Sequence, residues 1–194
     1  MKKYAFALIL LLFVNYSYSQ EKNGDKLNIK HTITFFLHWY KNNENKIETV
    51  RIIKGLNENE EKKGDSLARI DMDAVDVYLF NLKKSNFVSQ SYLNNIRYYY
   101  QEIADTLKKY PLVDYFGPIG GLEADLILGF EPEETLDYIN KGVFTRIYIV
   151  GDKAIAQFDI VNHVHLIFTL SKVEEKWLID DLEFNVDYYN PTRK

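Results

Sequence analysis

Between residues 145 and 184 hydrophobic and polar positions alternate in four successive runs, TRIYIV, AIAQFDIV, HVHLIFTLS and KWLIDDLEF. Gly151 and Asp152, then Asn162, then residues 172–176 separate them, each gap short enough for a hairpin. In the third run Val164, Leu166, Phe168 and Leu170 share one face, and His163, His165, Ile167 and Thr169 the other, because successive strand side chains point to opposite sides. The second run opposes Ala154, Ala156, Phe158 and Ile160 to Ile155, Gln157, Asp159 and Val161, and the fourth opposes Leu178, Leu182 and Phe184 to Trp177 and Ile179. An antiparallel meander with one apolar face needs a cover, since each large side chain left in water forfeits about 1.5–3 kcal/mol.

The period changes to helical upstream of this meander. In HTITFFLHWYKNN, residues 31–43, Ile33, Phe36, Leu37 and Tyr40 recur at i, i+3, i+4 and i+7, with Phe35 and Trp39 widening the stripe. A second helix is expected over 68–83, its face built from Ile70, Ala74, Val77 and Phe80 and broadened by Val75 and Leu79. A third is expected over 92–110, capped by Ser89 or Ser91, stopped by Pro111, and striped by Tyr92, Ile96, Tyr99, Ile103 and Leu107. In the run Tyr98, Tyr99, Tyr100 the spacing buries Tyr99 and leaves Tyr98 or Tyr100 near the surface. The polar run at 57–64 reads as an exposed loop after the apolar island 50–53. Between helix three and the meander, the glycine-rich stretch at 117–121 reads as a turn, 124–128 as a short strand and 131–138 as a short acidic helix.

Composition adds a compartment. Lys2 and Lys3, the apolar core AFALILLLFV and the small-residue pattern Ser17, Tyr18, Ser19 have the layout of a secretory leader, giving residues 1–19 as a signal peptide. Its apolar core is short for a bilayer span, so no stable membrane span is expected after cleavage. Residues 20–30 then form a flexible lead-in, 31–186 a single domain and 187–194 a tail, with the product periplasmic or extracellular. The chain has no cysteine, so neither disulfides nor lipid attachment at the cut can hold it. Loss of the two leader lysines moves the formal charge from −4 to −6, and this acidic balance without a basic footprint argues against nucleic acid.

The stretch Phe35-Phe36-Leu37-His38-Trp39-Tyr40, the segment Phe87-Val88-Ser89 leading to Leu93, and the strand Trp177-Leu178-Ile179-Asp180-Asp181-Leu182 resemble the DUF3828 group of exported bacterial proteins, within the NTF2-like (cystatin-like) superfamily. The resemblance covers roughly residues 30–185. It implies an α+β fold in which N-terminal helices pack on a curved, mostly antiparallel C-terminal sheet, often around a conical cavity. It supplies no catalytic residues.

Candidate chemistry is sparse. Since the side of the last strand that carries Asp180 also carries Leu178 and Leu182, Asp180 is a candidate cavity acid, with Arg146 or a helical tyrosine such as Tyr99 as partner. Its plainer role is a structural hydrogen bond. His38, beside Trp39 and Tyr40, is a ligand or base candidate whose plainer reading is a half-buried helical histidine. His163 and His165 share a strand face with Asp159 on the preceding strand, a weak metal or base constellation whose plainer reading is a less apolar sheet face or a homodimer contact through that face. The stretch Gly-Pro-Ile-Gly-Gly lacks the lysine and hydroxyl of a phosphate loop. No metal or cofactor is expected. A small exported domain that binds an unidentified protein or small molecule is the first reading. A hydrolase or isomerase using a cavity Asp or His is the second, and a structural or toxin-neutralising protein the third.

Overall fold

The computed structural model describes residues 2–56, 66–129, 132–160 and 164–186, with side chains described from Gly24 onward except at 48, 134, 185 and 186. The side chains of the leader, the polar run at 57–64, Asn162, His163 and the tail 187–194 lie outside the described residues. Helix α1 runs Lys2–Glu48 and is followed by the short strands β1 (Ile53–Lys54) and β2 (Arg69–Ile70), helix α2 (Met72–Lys83) and helix α3 (Gln90–Lys109). A short helix α4 (Pro132–Asp137) and a 3-10 turn (Ile139–Lys141) lead into β3 (Val143–Val150), β4 (Lys153–Ile160), β5 (Val164–Val173) and β6 (Lys176–Val186). The last four pair in chain order as an antiparallel sheet, so the fold is α+β with an antiparallel C-terminal sheet, as the alternation predicts.

The core forms where the α1 stripe meets the inner sheet face. Ile29, Ile33, Phe36, Leu37 and Tyr40 on α1 are buried in one cluster with Ala154, Ala156, Phe158, Leu166, Phe168, Leu170 and Ile179. The helix is pinned at the far end of the chain: Trp177 Nε1 donates to Asp25 Oδ1 at 2.9 Å, Lys172 Nζ lies 3.2 Å from the same oxygen, and Thr32 Oγ1 donates to the Trp177 carbonyl. Residues 24–30, expected as a lead-in, are therefore helical and bury Ile29. Phe35 is exposed and does not widen the stripe; it stacks on His31 and leans toward Phe87.

Two further helical expectations shift. Asp71 caps α2 by accepting from the Asp73 and Ala74 amides, so the helix starts later than expected and Ile70 belongs to β2. Its buried face is Val75, Tyr78, Leu79 and Leu82, while Val77 and Phe80 face solvent. Helix α3 is capped at Ser89 and ends before Pro111 as expected, but its buried line runs Tyr92, Leu93, Ile96, Tyr100, Ala104 and Leu107. Tyr100 is 6% exposed and Tyr99 38%, the reverse of the expected order. A one-residue step rotates a helix position by about 100°, enough to exchange a flank for the centre of a stripe. The span 124–128 is not a strand; it is a turn closed by Asp125 and Gly129.

The sheet carries a bulge that the alternation did not anticipate. Thr169 pairs with Asp181 and Leu170 with Ile179, which leaves Asp180 as an extra residue in β6. Trp177, Ile179 and Leu182 are the buried residues of β6, while Leu178 and Asp180 lie on the opposite side, beside Ser171 of β5. The edge of β6 is covered in part: the Ser89 and Ile179 amides donate to the Ile179 and Phe87 carbonyls, each at 2.8 Å.

Candidate functional site

Asp125 is the organising group on the helical side of the molecule. Its Oδ1 accepts from the Ile127 and Leu128 amides at 2.9 and 2.6 Å, closing a tight turn in which a short carboxylate stands in for a backbone acceptor. Its Oδ2 accepts from the Tyr40 hydroxyl at 2.6 Å, tying the turn to α1. Gly129 follows at φ +78°, and a Cβ there would meet the Phe184 ring. Gly121, at φ +84°, opens the same strap, and its carbonyl accepts from the Tyr99 hydroxyl at 2.8 Å. The strap 119–129 is thus fastened to α1 and to α3 by one tyrosine each.

A cavity of about 290 Å³ lies beside Asp125, walled by Ile47, Arg51 and Ile52, by Tyr78 of α2, Tyr100 of α3 and Leu122. The Tyr78 and Tyr100 rings meet edge to face with centroids 6.1 Å apart. Neither hydroxyl has a hydrogen-bond partner among the described residues, so both polar tips remain available to a guest. Burial, reinforced by the charge of Asp125 and by neighbouring phenols, pushes the titration of Tyr40, Tyr78 and Tyr100 well above the ordinary tyrosine range. They are neutral hydrogen-bonding groups at any physiological pH.

A second cavity, of about 340 Å³, lies between α3 and β6 and shares Leu126 with the first. Tyr92, Asn95, Ile96, Tyr99, Asp181 and Leu182 line it. Burial, then the charges of Asp125 and Asp181, raises the Tyr92 phenol strongly.

The residues singled out from sequence fall elsewhere, with one exception. Tyr99 lines the second cavity. Asp180 lines neither described cavity; its Oδ1 accepts from Ser171 Oγ at 2.8 Å and its Oδ2 lies 3.4 Å from Lys153 Nζ, the structural hydrogen bond of the plainer reading. Asp180 stands opposite the buried Trp177 and Ile179, on the side away from the core, whereas the bulge brings Leu182 onto the buried face. Arg146 is exposed on β3 across from Gln157 and is not brought to Asp180. His38 is half-buried on α1 and lines neither cavity.

His165 and Asp159 do meet. His165 Nδ1 lies 2.8 Å from Asp159 Oδ1, which also accepts from Gln157 Nε2 at 2.7 Å. Partial burial alone would raise the Asp159 carboxyl; hydrogen bonds from His165, Gln157 and Thr145 outweigh it and hold the group below its usual value. The pair sits on the outer sheet face, and among the described residues no cluster of three or more His, Cys, Asp or Glu side chains could hold a metal.

Asp125, Tyr78 and Tyr100 were missed by the sequence reading. The signal for Asp125 was the spacing Asp-x-x-x-Gly in DLILG, an acidic turn former followed by a residue free to take positive φ. Tyr78 and Tyr100 carried no comparable signal, since their burial depends on the phase of their helices. No protein-family model, no curated protein and no solved structure matches the chain. Among the described residues no helix is long and apolar enough to cross a membrane.

Proposed function

We propose that this chain is an exported binding domain of NTF2-like architecture, akin to the DUF3828 group, that holds a small, largely apolar ligand beside Asp125. The observation that carries the reading is the convergence of Tyr78, Tyr100 and Asp125 on a cavity whose other walls are mostly aliphatic. Such a site recognises a guest by shape and by a few directed hydrogen bonds, and its volume suits a compact molecule at the small end of ligand pockets. Export is supported by the layout of residues 1–19, and the NTF2-like comparison by N-terminal helices packed on an antiparallel C-terminal sheet.

The test is a nuclear magnetic resonance titration with p-cresol, a neutral compound with one hydroxyl and an apolar ring. Saturable shifts at residues 52, 78, 100 and 122–126, weakened by the double substitution Tyr78→Phe with Tyr100→Phe, are expected. Absence of saturation, or equal affinity in the double variant, overturns the reading.

A further inference from the structure

We propose that the second cavity is a separate site for an organic ammonium ion carrying a short apolar body. It does not rest on the reading of the first cavity. Asp181 brings a carboxylate to the cavity, and among the described residues its one hydrogen bond is from the adjacent Leu182 amide. Among the described residues that line it there is no lysine or arginine. The Asn95 amide and the Tyr92 hydroxyl have no hydrogen-bond partner among the described residues. One fixed negative charge, two further oxygen acceptors and aromatic rings are the complement of an ammonium head, whose N–H groups need acceptors and whose charge is drawn to ring faces.

Ile96, Leu126 and Leu182 supply the remainder of the wall, and hydrocarbon there matches the body of an organic cation. A bare metal ion has no use for such walls and would find a single carboxylate where hard cations take six or more oxygens. An anion would be repelled. The field has the right sign independently of any one contact: Tyr92, on the cavity wall, feels both Asp181 and Asp125, and both favour its neutral form.

The experiment is a titration of the full chain, followed by amide chemical shifts, with phenethylammonium chloride, its neutral counterpart 2-phenylethanol and the anion phenylacetate. Saturable shifts at residues 92–99 and 181–182 are expected for the ammonium compound. The alcohol should bind about tenfold more weakly, on the order of 1.4 kcal/mol, and phenylacetate more weakly still. Asp181→Asn should cost the ammonium compound a comparable factor while leaving the melting temperature unchanged, and raised salt should weaken the wild type more than the variant. Tyr100→Phe, in the other cavity, should leave ammonium binding as it is, so failure of one site is distinguishable from failure of the other. Equal affinity for ammonium and alcohol, unchanged binding in Asp181→Asn, or shifts confined to the first cavity would each overturn the proposal.

Discussion

Tyr40 and Asp125 are 85 positions apart, and their 2.6 Å hydrogen bond joins the first helix to a loop with little secondary structure of its own. Tyr40→Phe leaves the ring packed and removes only the donor, so it isolates that bond. A loss of about 1.5–3 kcal/mol in urea unfolding is expected, the range for a hydrogen bond to a charged group, with faster amide exchange at Ile127 and Leu128. Titration offers a second check. The buried phenols stay protonated in the folded chain, whereas in the unfolded chain they ionise near pH 10. Stability from this source is complete below about pH 10 and falls as pH rises above it, because only the unfolded state releases protons there. Ultraviolet titration should show these tyrosines ionising only together with unfolding. Asp159 acts at the other limit: its lowered carboxyl contributes stability above about pH 4 that is lost as pH falls through the folded value. Asp159→Asn should flatten that acid limb of the stability curve.

At the scale of elements, the β5–β6 hairpin turns through Glu174 and Glu175, with φ of +47° and +65°. Two-residue hairpin turns of this kind favour Asn and Gly, and a side chain with a Cβ is strained in that region. Glu174→Asn with Glu175→Gly should raise stability by about 1 kcal/mol in thermal unfolding, less whatever the Lys172–Glu175 ion pair at 2.9 Å contributes. The strands were the legible part of the sequence, because a period of two is unambiguous when Phe158, Leu166 and Phe168 alternate with polar or smaller neighbours. Helix existence was legible too, but not helix phase: Phe80 and Val77 have the right spacing for a buried face and still point outward. Hydrophobicity alone ranks Phe80 above Tyr78, and only the position of the neighbouring α3 decides between them. Asp180 shows the same limit in β6. Deleting it would give a strand that reads Trp177, Ile179, Leu182 and Phe184 on one face without interruption. The bulge absorbs the inserted residue and keeps Leu182 on the face of Trp177 and Ile179.

For the whole molecule, both cavities are walled in part by the strap fastened by Tyr40 and Tyr99. The sheet contributes an anvil and one edge. What completes the body is the clasp between Asp25 and Trp177, 152 positions apart, seconded by Thr32 on the Trp177 carbonyl. Such distant partners slow folding, since a long loop must close before either is rewarded. A chain truncated after Val173 would lose β6 and the clasp together, leave the α1 stripe without its last neighbour, and should show no cooperative unfolding transition. The first helix therefore cannot finish docking until the last strand exists. During synthesis the nascent chain thus carries an unclosed core until Trp177 and the strand around it have emerged.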